Sequence, residues 1–282
     1  MVGRWVLVPV VGVRVPTPQP IKMKRLLIIT DCTDVATNEL IAVITRELDR
    51  LEVDNVNIEP PVFVKEFSII NGSFLTRLML EIYKPENLII LIILNPLKTN
   101  RKSRARIIGK LKNGVKFISA NTGVMSWAFR DFGIKRIYES EKKNLKGKEF
   151  ISFGGKYIHA PIAAKISAGY PLEKIAANKF PMERIKYLNI KNGTVVHIDN
   201  FGVIKFVGKV DALRKKRHVK IYKKGKLIAQ AQYTKSMKDL KKGTLCVYKG
   251  SSLTNILEIG IVRELNTYKK LGIKIGDILE LA

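Results

Sequence analysis

Acidic residues are scarce in this chain. Twenty-four Asp and Glu stand against fifty-one Lys and Arg, a formal net charge of +27 and an isoelectric point near 10.1. Such an excess repels itself and favours polyanionic partners, nucleic acid above all. Cysteine is scarcer still. Cys32 and Cys246 lie far apart and match no metal or redox spacing, so both read as reduced core residues of a protein in a reducing, cytoplasmic compartment. With three histidines, no Ser–His–Asp arrangement or metal-ligand cluster is formed, and no Walker loop is present. Long hydrophobic runs are missing too. The longest, residues 88–94, falls far short of the ~20 residues of a membrane helix but suits a strand buried on both faces. Residues 1–22 carry a short valine-rich stretch and then three prolines, Pro16, Pro18 and Pro20, without the basic start, long apolar core and cleavage site of a secretory signal. They read as an N-terminal extension.

The basic residues are clustered. Residues 98–116 hold eight and no acid, and residues 205–242 hold fourteen against Asp211 and Asp239. A solvated face explains one such run; two runs in different parts of the chain favour a binding surface. The candidates for nucleic-acid contact are Arg101, Lys102, Arg104 and Arg106 in the first run. In the second they are Arg214, Lys215, Lys216, Arg217, Lys220, Lys223 and Lys224, with Phe206, Tyr222 and Tyr233 as interleaved aromatics. Alternation over 214–226 predicts a hairpin with Val219, Ile221 and Tyr222 inward and the ammonium groups outward.

Two textures divide the chain. Residues 23–185 alternate strands with helices: an apolar strand over 24–30, a helix over 39–50 capped by Thr37 or Asn38, and a helix around 71–83. A strand over 88–94, a basic loop and helix over 98–112, a strand over 116–119 and a short helix over 122–132 follow. This order predicts an α/β domain with a mostly parallel sheet covered on both faces. Residues 193–282 read instead as short strands (194–198, 203–207, 218–222, 226–232, 245–249 and 257–262) separated by turns such as Lys224-Gly225. That spacing predicts a smaller C-terminal β-barrel.

Five segments, in order, resemble the signatures of the S-adenosylmethionine hydroxide adenosyltransferase family, which includes the fluorinases and chlorinases. Thr30-Asp31-Cys32-Thr33 is similar to its TDFG, Asn95–Lys102 to DPGVGT-x-R, and Ala120–Met125 to PDNGLL. Phe153–Pro161 is similar to FHGRDIFAP, and His197–Gly202 to IDRFGN. The ending, from Gly250-Ser251-Ser252 through Leu257-Glu258-Ile259 to Gly276-Asp277, resembles SSG-x-LEI and LG-x-x-x-GD. The likeness spans about residues 24–282. It implies an α/β domain, a barrel, and a trimer whose sites lie between the first domain of one chain and the second of its neighbour.

The family's Asp, Arg and His, to which activation of the attacking water is attributed, fall on Asn95, Lys102 and Gly154. An amide orients water without taking its proton, Lys lacks the planar fork of Arg, and Gly offers no side chain. The resemblance assigns substrate contacts to Asp31, Asn121, Thr122, Asp199, Phe201 and Ser252. Further family positions have changed: a second Asp falls on Ala36, the Asn of FGN on Val203, and two glycines on Leu97 and Thr99. His159, where the family carries Phe, reads as structural. Two functions stay open. One is a catalytically silent family member that binds RNA or the ribosome; the other is a hydrolase of S-adenosylmethionine, or a protein that holds it or adenosine as a ligand. No cofactor is required by either.

Overall fold

A computed structural model describes residues 22–96, 105–140, 153–209, 213 and 217–282. The first unit is built on an eight-stranded sheet with the order β2-β1-β4-β6-β5-β7-β8, in which β3 also pairs with β1. Its strands are β1 (Lys24–Thr30), β2 (Val56–Ile58), β3 (Val62–Phe63), β4 (Leu88–Ile93), β5 (Arg106–Leu111), β6 (Lys116–Ala120), β7 (Ile134–Ser140) and β8 (Ala176–Lys179). Pairings among β1, β2, β3, β4 and β6 are parallel, whereas β5, β7 and β8 join antiparallel.

Strand periodicity sends successive side chains to opposite faces, and β1 shows why this sheet needs cover on both. Leu26 and Ile28 pack with Leu40 and Ile44 of α1 (Val35–Arg50) and with Ile162 and Ile166 of α4 (Ala160–Ser167). Leu27 and Ile29 pack on the other side with Phe74 and Leu75 of α2 (Ile69–Ile82) and with Trp127 and Ala128 of α3 (Ser126–Phe132). The result is a three-layer α/β unit with a mostly parallel centre, as the alternation of elements predicts.

Local chemistry sets several boundaries. Asp34, not Thr37 or Asn38, caps α1 by accepting from the Ala36 amide at 2.9 Å. Thr37 instead donates its hydroxyl to the Cys32 carbonyl. Within the expected helix over 98–112, residues 106–111 are a strand. Asn113-Gly114 turns β5 back onto β6, with Gly114 at φ +102° and the Leu111 amide donating to Val115 at 2.8 Å. Gly109 sits in mid-strand because a Cβ there would come within 2.5 Å of both the Arg136 carbonyl and the Phe117 ring.

The second unit is a seven-stranded sheet, ordered β15-β11-β12-β13-β14-β10-β9. Its members are β9 (Val195–Ile198), β10 (Ile204–Val207), β11 (His218–Lys223), β12 (Lys226–Tyr233), β13 (Leu245–Lys249), β14 (Ile256–Ile261) and β15 (Leu279–Leu281). The two edges meet. Thr194 bridges Ile278, the Leu279 amide donates to the Gly193 carbonyl at 2.9 Å and the Val195 amide to Asp277 at 2.8 Å. Gly193 permits this contact, since a Cβ would stand 2.0 Å from the Leu279 oxygen. The sheet is thereby curled around Phe206, Val219, Ile221, Val247 and Ile259. Phe206 and Tyr233, expected as stacking aromatics, belong to this interior: Phe206 is buried and Tyr233 packs against the core.

The two units share apolar contact. Val196, Leu253 and Ile256 of the second join the cluster formed by Phe74 and Trp127 of the first. Asn71, buried in α2, donates to the Val196 carbonyl at 2.9 Å, contacts His197 Nδ1 at 2.9 Å and accepts from the Lys65 amide at 2.9 Å. His197 also stacks on Phe74 at 5.7 Å between ring centroids.

Candidate functional site at the carboxyl ends of the parallel strands

Open α/β sheets bind ligands outside the carboxyl ends of their strands. Four predicted positions fall there. Asp31 follows β1, Asn95 lies two residues past β4, and Asn121 follows β6. Gly154 precedes a π-helical turn, Gly155–His159, that leads into α4. That turn lies against the end of β4, for a Cβ on Gly155 would come within 2.9 Å of Ile93.

Asp31 anchors the site. Its amide donates to the Ile93 carbonyl at 3.3 Å, and its carboxylate accepts from the Phe67 amide at 3.0 Å. Burial raises its pKa above the ordinary range, against the pull of amide donors at Phe67, Asp31 itself and Asn95. The carboxylate is half-buried and ties the β1, β4 and Phe67 loops together. Asn95 is exposed beside it. Phe67 contributes through a backbone at φ +58°, a role that carries no side-chain signature and that the sequence reading missed.

Asn121 is occupied otherwise. Its Nδ2 donates to the Arg184 carbonyl at 2.9 Å and its Oδ1 accepts from the Lys186 amide at 3.0 Å. Both ends of the amide therefore hold the connector between the two units rather than facing a ligand. Ser126 does the same, accepting from the Leu188 amide at 2.8 Å. Thr122 is buried next to them, its hydroxyl without a hydrogen-bond partner among the described residues.

Gly154 leaves a gap that Arg106 approaches: Arg106 Nη2 stands 3.6 Å from where a Cβ on Gly154 would be. Arg106 pairs with Ala120 across β5 and β6, so its side chain starts beside Asn121. This corrects its expected place on a basic outer surface. His159 lies in the same corner, buried, with neither ring nitrogen in a full hydrogen bond. Burial chiefly, and then the Arg106 charge, lower its pKa to about 4, against a weaker pull from the Gly154 backbone.

The second-unit candidates lie in the turns between β9 and β10 and between β13 and β14. Asp199 accepts from the Phe201 and Val203 amides at 3.0 and 2.9 Å in its own turn. Phe201 is 57% exposed, and Ser252 is half-buried in the turn before β14. Among the described residues, no hydrogen bond or ion pair links any of the three to Asp31. Lys102, together with Arg101, Arg104, Arg214, Lys215 and Lys216, lies outside the described residues, as does nearly all of the extension at 1–22. Lys220, Lys224 and Arg217 are exposed at β11 and its ends. Lys223 is not available: its ammonium donates to the Gly272 carbonyl at 2.5 Å and pairs with Asp277 at 3.1 Å. Cys246 is buried, but Cys32 is only half-buried in the loop after β1, short of the core place expected for it. Among the described residues, no helix is long and apolar enough to cross a membrane, and no cluster of His, Cys, Asp and Glu is suited to hold a metal.

A mostly parallel α/β sheet with a carboxylate at its ligand-binding end, continued by a small closed barrel, defines a two-sheet α/β-plus-β protein. A model of the SAM hydroxide adenosyltransferase N-terminal domain matches residues 26–176, and the chain belongs to that family. Over 242 residues it is 26% identical to the (R)-S-adenosyl-L-methionine hydrolase of Methanocaldococcus jannaschii, covering 81% of this chain and 87% of that one. Two solved structures share the fold. An uncharacterized conserved protein from Thermotoga maritima aligns with a TM-score of 0.75 at 22% identity, over 91% of this chain and 100% of its own. A conserved hypothetical protein from Thermus thermophilus aligns with a TM-score of 0.68 at 19% identity, over 92% and 100%.

Proposed function

We propose that this chain binds S-adenosylmethionine, or a closely related adenosyl compound, at the carboxyl ends of β1, β4 and β6, and hydrolyses it slowly if at all. The observation that carries the reading is Asp31. It is a half-buried carboxylate fixed by backbone amides, suited to accept hydrogen bonds from ribose hydroxyls. The hydrolase activity of the archaeal relative supports the substrate class.

The chemistry expected here is weaker than a hydrolase needs. Attack by water calls for an acceptor aimed at its proton. Asn95 offers an amide, Gly154 offers nothing, and His159 is held neutral by burial with a basicity far below that of a useful base. Loss of general-base assistance lowers a rate by about 10²–10⁴-fold, which takes a typical ~10 s⁻¹ turnover to about 10⁻³–10⁻¹ s⁻¹. Phe201, 57% exposed in the single chain, supports completion of the site by a second copy, in a homotrimer.

Calorimetric titration with S-adenosylmethionine, alongside chromatography of released adenosine and methionine, tests the reading. Saturable binding that Asp31→Asn abolishes, with turnover below about 0.1 s⁻¹, is the expected result. Turnover near 10 s⁻¹, or binding unchanged in Asp31→Asn, contradicts it. Sedimentation should show three copies per particle.

A further inference from the structure

A long acid-free run of cations lies in the second unit. Residues 212–238 contain ten Lys and Arg and no Asp or Glu, and they include the β11–β12 hairpin. Cations elsewhere find partners inside the chain: Arg25 with Glu59, Arg77 with Asp131, Arg136 with Glu173, Lys205 with Glu258. Among the described residues, Lys223 is the hairpin cation that does so, through Asp277. Arg217, Lys220, Lys224 and Lys226 are exposed, and none of the four makes an ion pair among the described residues.

Four carboxylates of this unit are engaged elsewhere. Asp199 closes its own turn, Glu258 takes Lys205, Glu264 takes Lys270, and Asp277 takes Lys223 and the Lys274 amide. Glu280 of β15, opposite Tyr222, is the acid at this sheet face.

Strand geometry fixes the outward face of the hairpin. Val219 and Ile221 are buried in the barrel, so His218 and Lys220 point outward, opposite Gln232 and Gln230 of β12. Alternate residues on a strand are about 6.6 Å apart, a spacing on which cations can follow a phosphate chain. The turn places Lys224 at the tip with φ +52° and Gly225 at +73°, the two-residue geometry with both centres left-handed. This hairpin is flanked by β15 on one side and β13 on the other. It is therefore part of the curled barrel wall and not a free ribbon that could enter a duplex groove.

We propose that the outer face of β11–β12 and its tip bind single-stranded RNA, with Lys220 on that face, Arg217 at its start and Lys224 and Lys226 at the tip on phosphates, and Gln230 and Gln232 on base edges or 2′-hydroxyls. The outer surface of a barrel wall accepts splayed, unpaired bases, and the glutamine amides offer both donors and acceptors to a ribose. A membrane surface fits less well, because the face carries Leu227 as its exposed large apolar side chain and no apolar stripe.

The test is fluorescence anisotropy of the full chain with a labelled single-stranded RNA of about 12 nucleotides, long enough to span four phosphate contacts, across a salt series. Four contacts at about −0.7 each predict a log–log salt slope near −3. Changing Arg217, Lys220, Lys224 and Lys226 to Gln should weaken binding at least tenfold and remove most of that slope. Changing Lys135, Lys174, Lys179 and Lys186, exposed on the first unit, to Gln removes the same charge and should leave the slope intact. Melting curves check the fold, and the turn pair Lys224→Gln with Lys226→Gln, which touches no core residue, should halve the slope. No RNA binding at low salt, or equal losses from both quadruple variants, overturns the proposal. So does equal or tighter binding to single-stranded DNA, to duplex, or to phosphatidylserine vesicles.

Discussion

Acid should weaken this fold through two histidines. His159 sits in the corner formed by Arg106 and the Gly154 backbone. His197 is wedged between Asn71 and Phe74, with Lys205, Asp199 and Glu258 around it. Burial is the main cause that takes each from an ordinary 6.5 to about 4. The unfolded chain then binds a proton that the folded chain refuses, so stability falls as pH drops from about 6.5 and levels off near 4. At about 1.4 kcal/mol per pH unit, each histidine accounts for about 3 kcal/mol of loss across that window. Equilibrium unfolding in urea at a series of pH values measures it. His159→Phe should remove about 3 kcal/mol of the pH dependence. Any cavity or overpacking effect of the ring would shift the whole curve without changing its slope. A His159→Phe profile that runs parallel to the wild type between pH 6.5 and 4 would refute the reasoning.

Three further substitutions probe the frame. Asn71→Ala removes hydrogen bonds to Val196, His197 and Lys65. It should cost about 2–4 kcal/mol in denaturant unfolding, since buried backbone groups lose their partners. Gly193→Ala puts a Cβ against the Leu279 carbonyl at φ +83°, so thermal melting should drop by well over 5 °C as the barrel edges part. Lys205→Met strands the buried Glu258 carboxylate and should destabilise by about 3–5 kcal/mol, whereas adding Glu258→Leu should restore most of the loss.

How far the sequence revealed this molecule depended on which force dominated each segment. Where burial was two-sided, as in β1 and β4, continuous apolar runs announced the strands. In the barrel, alternation placed β11 and β12 within a residue of their ends. Residues 106–111 misled because Arg106 and Lys110, spaced between isoleucines, imitate a helical face. The Asn113-Gly114 pair was the signal of a hairpin, the strongest that a short sequence carries. β7, with Lys135, Arg136 and Glu139 between its apolar positions, had too little alternation to stand out. At the site, Asp31 was legible from its motif. The engagement of Asn121 with the connector was not, because an amide's partners are set by a segment 63 residues away.

The positions that keep the family signature and those that lose it differ in kind. Gly155 must stay small, since a side chain would meet Ile93 at 2.9 Å and Phe153 at 3.1 Å. Gly123 turns at φ +96° beneath Leu188, and Asp31 gathers three loops through backbone amides. Each of these sets the shape of the crevice, and replacing any of them would strain or unbond backbone. Asn95 and Gly154, by contrast, are exposed or half-exposed and make no hydrogen bond through a side chain among the described residues. A change there alters reactivity at almost no cost to folding. Restoring the proton acceptor is therefore structurally permissible: Asn95→Asp places an exposed carboxylate beside Asp31 without touching the core. Like charge will raise the pKa of the pair, and stability should change by under about 1 kcal/mol. If the crevice still holds the adenosyl compound in a productive pose, hydrolysis should rise at least tenfold in Asn95→Asp, more so with Gly154→His alongside. An unchanged rate in a variant that still binds the ligand would mean that the pose, and not the missing base, limits the chemistry.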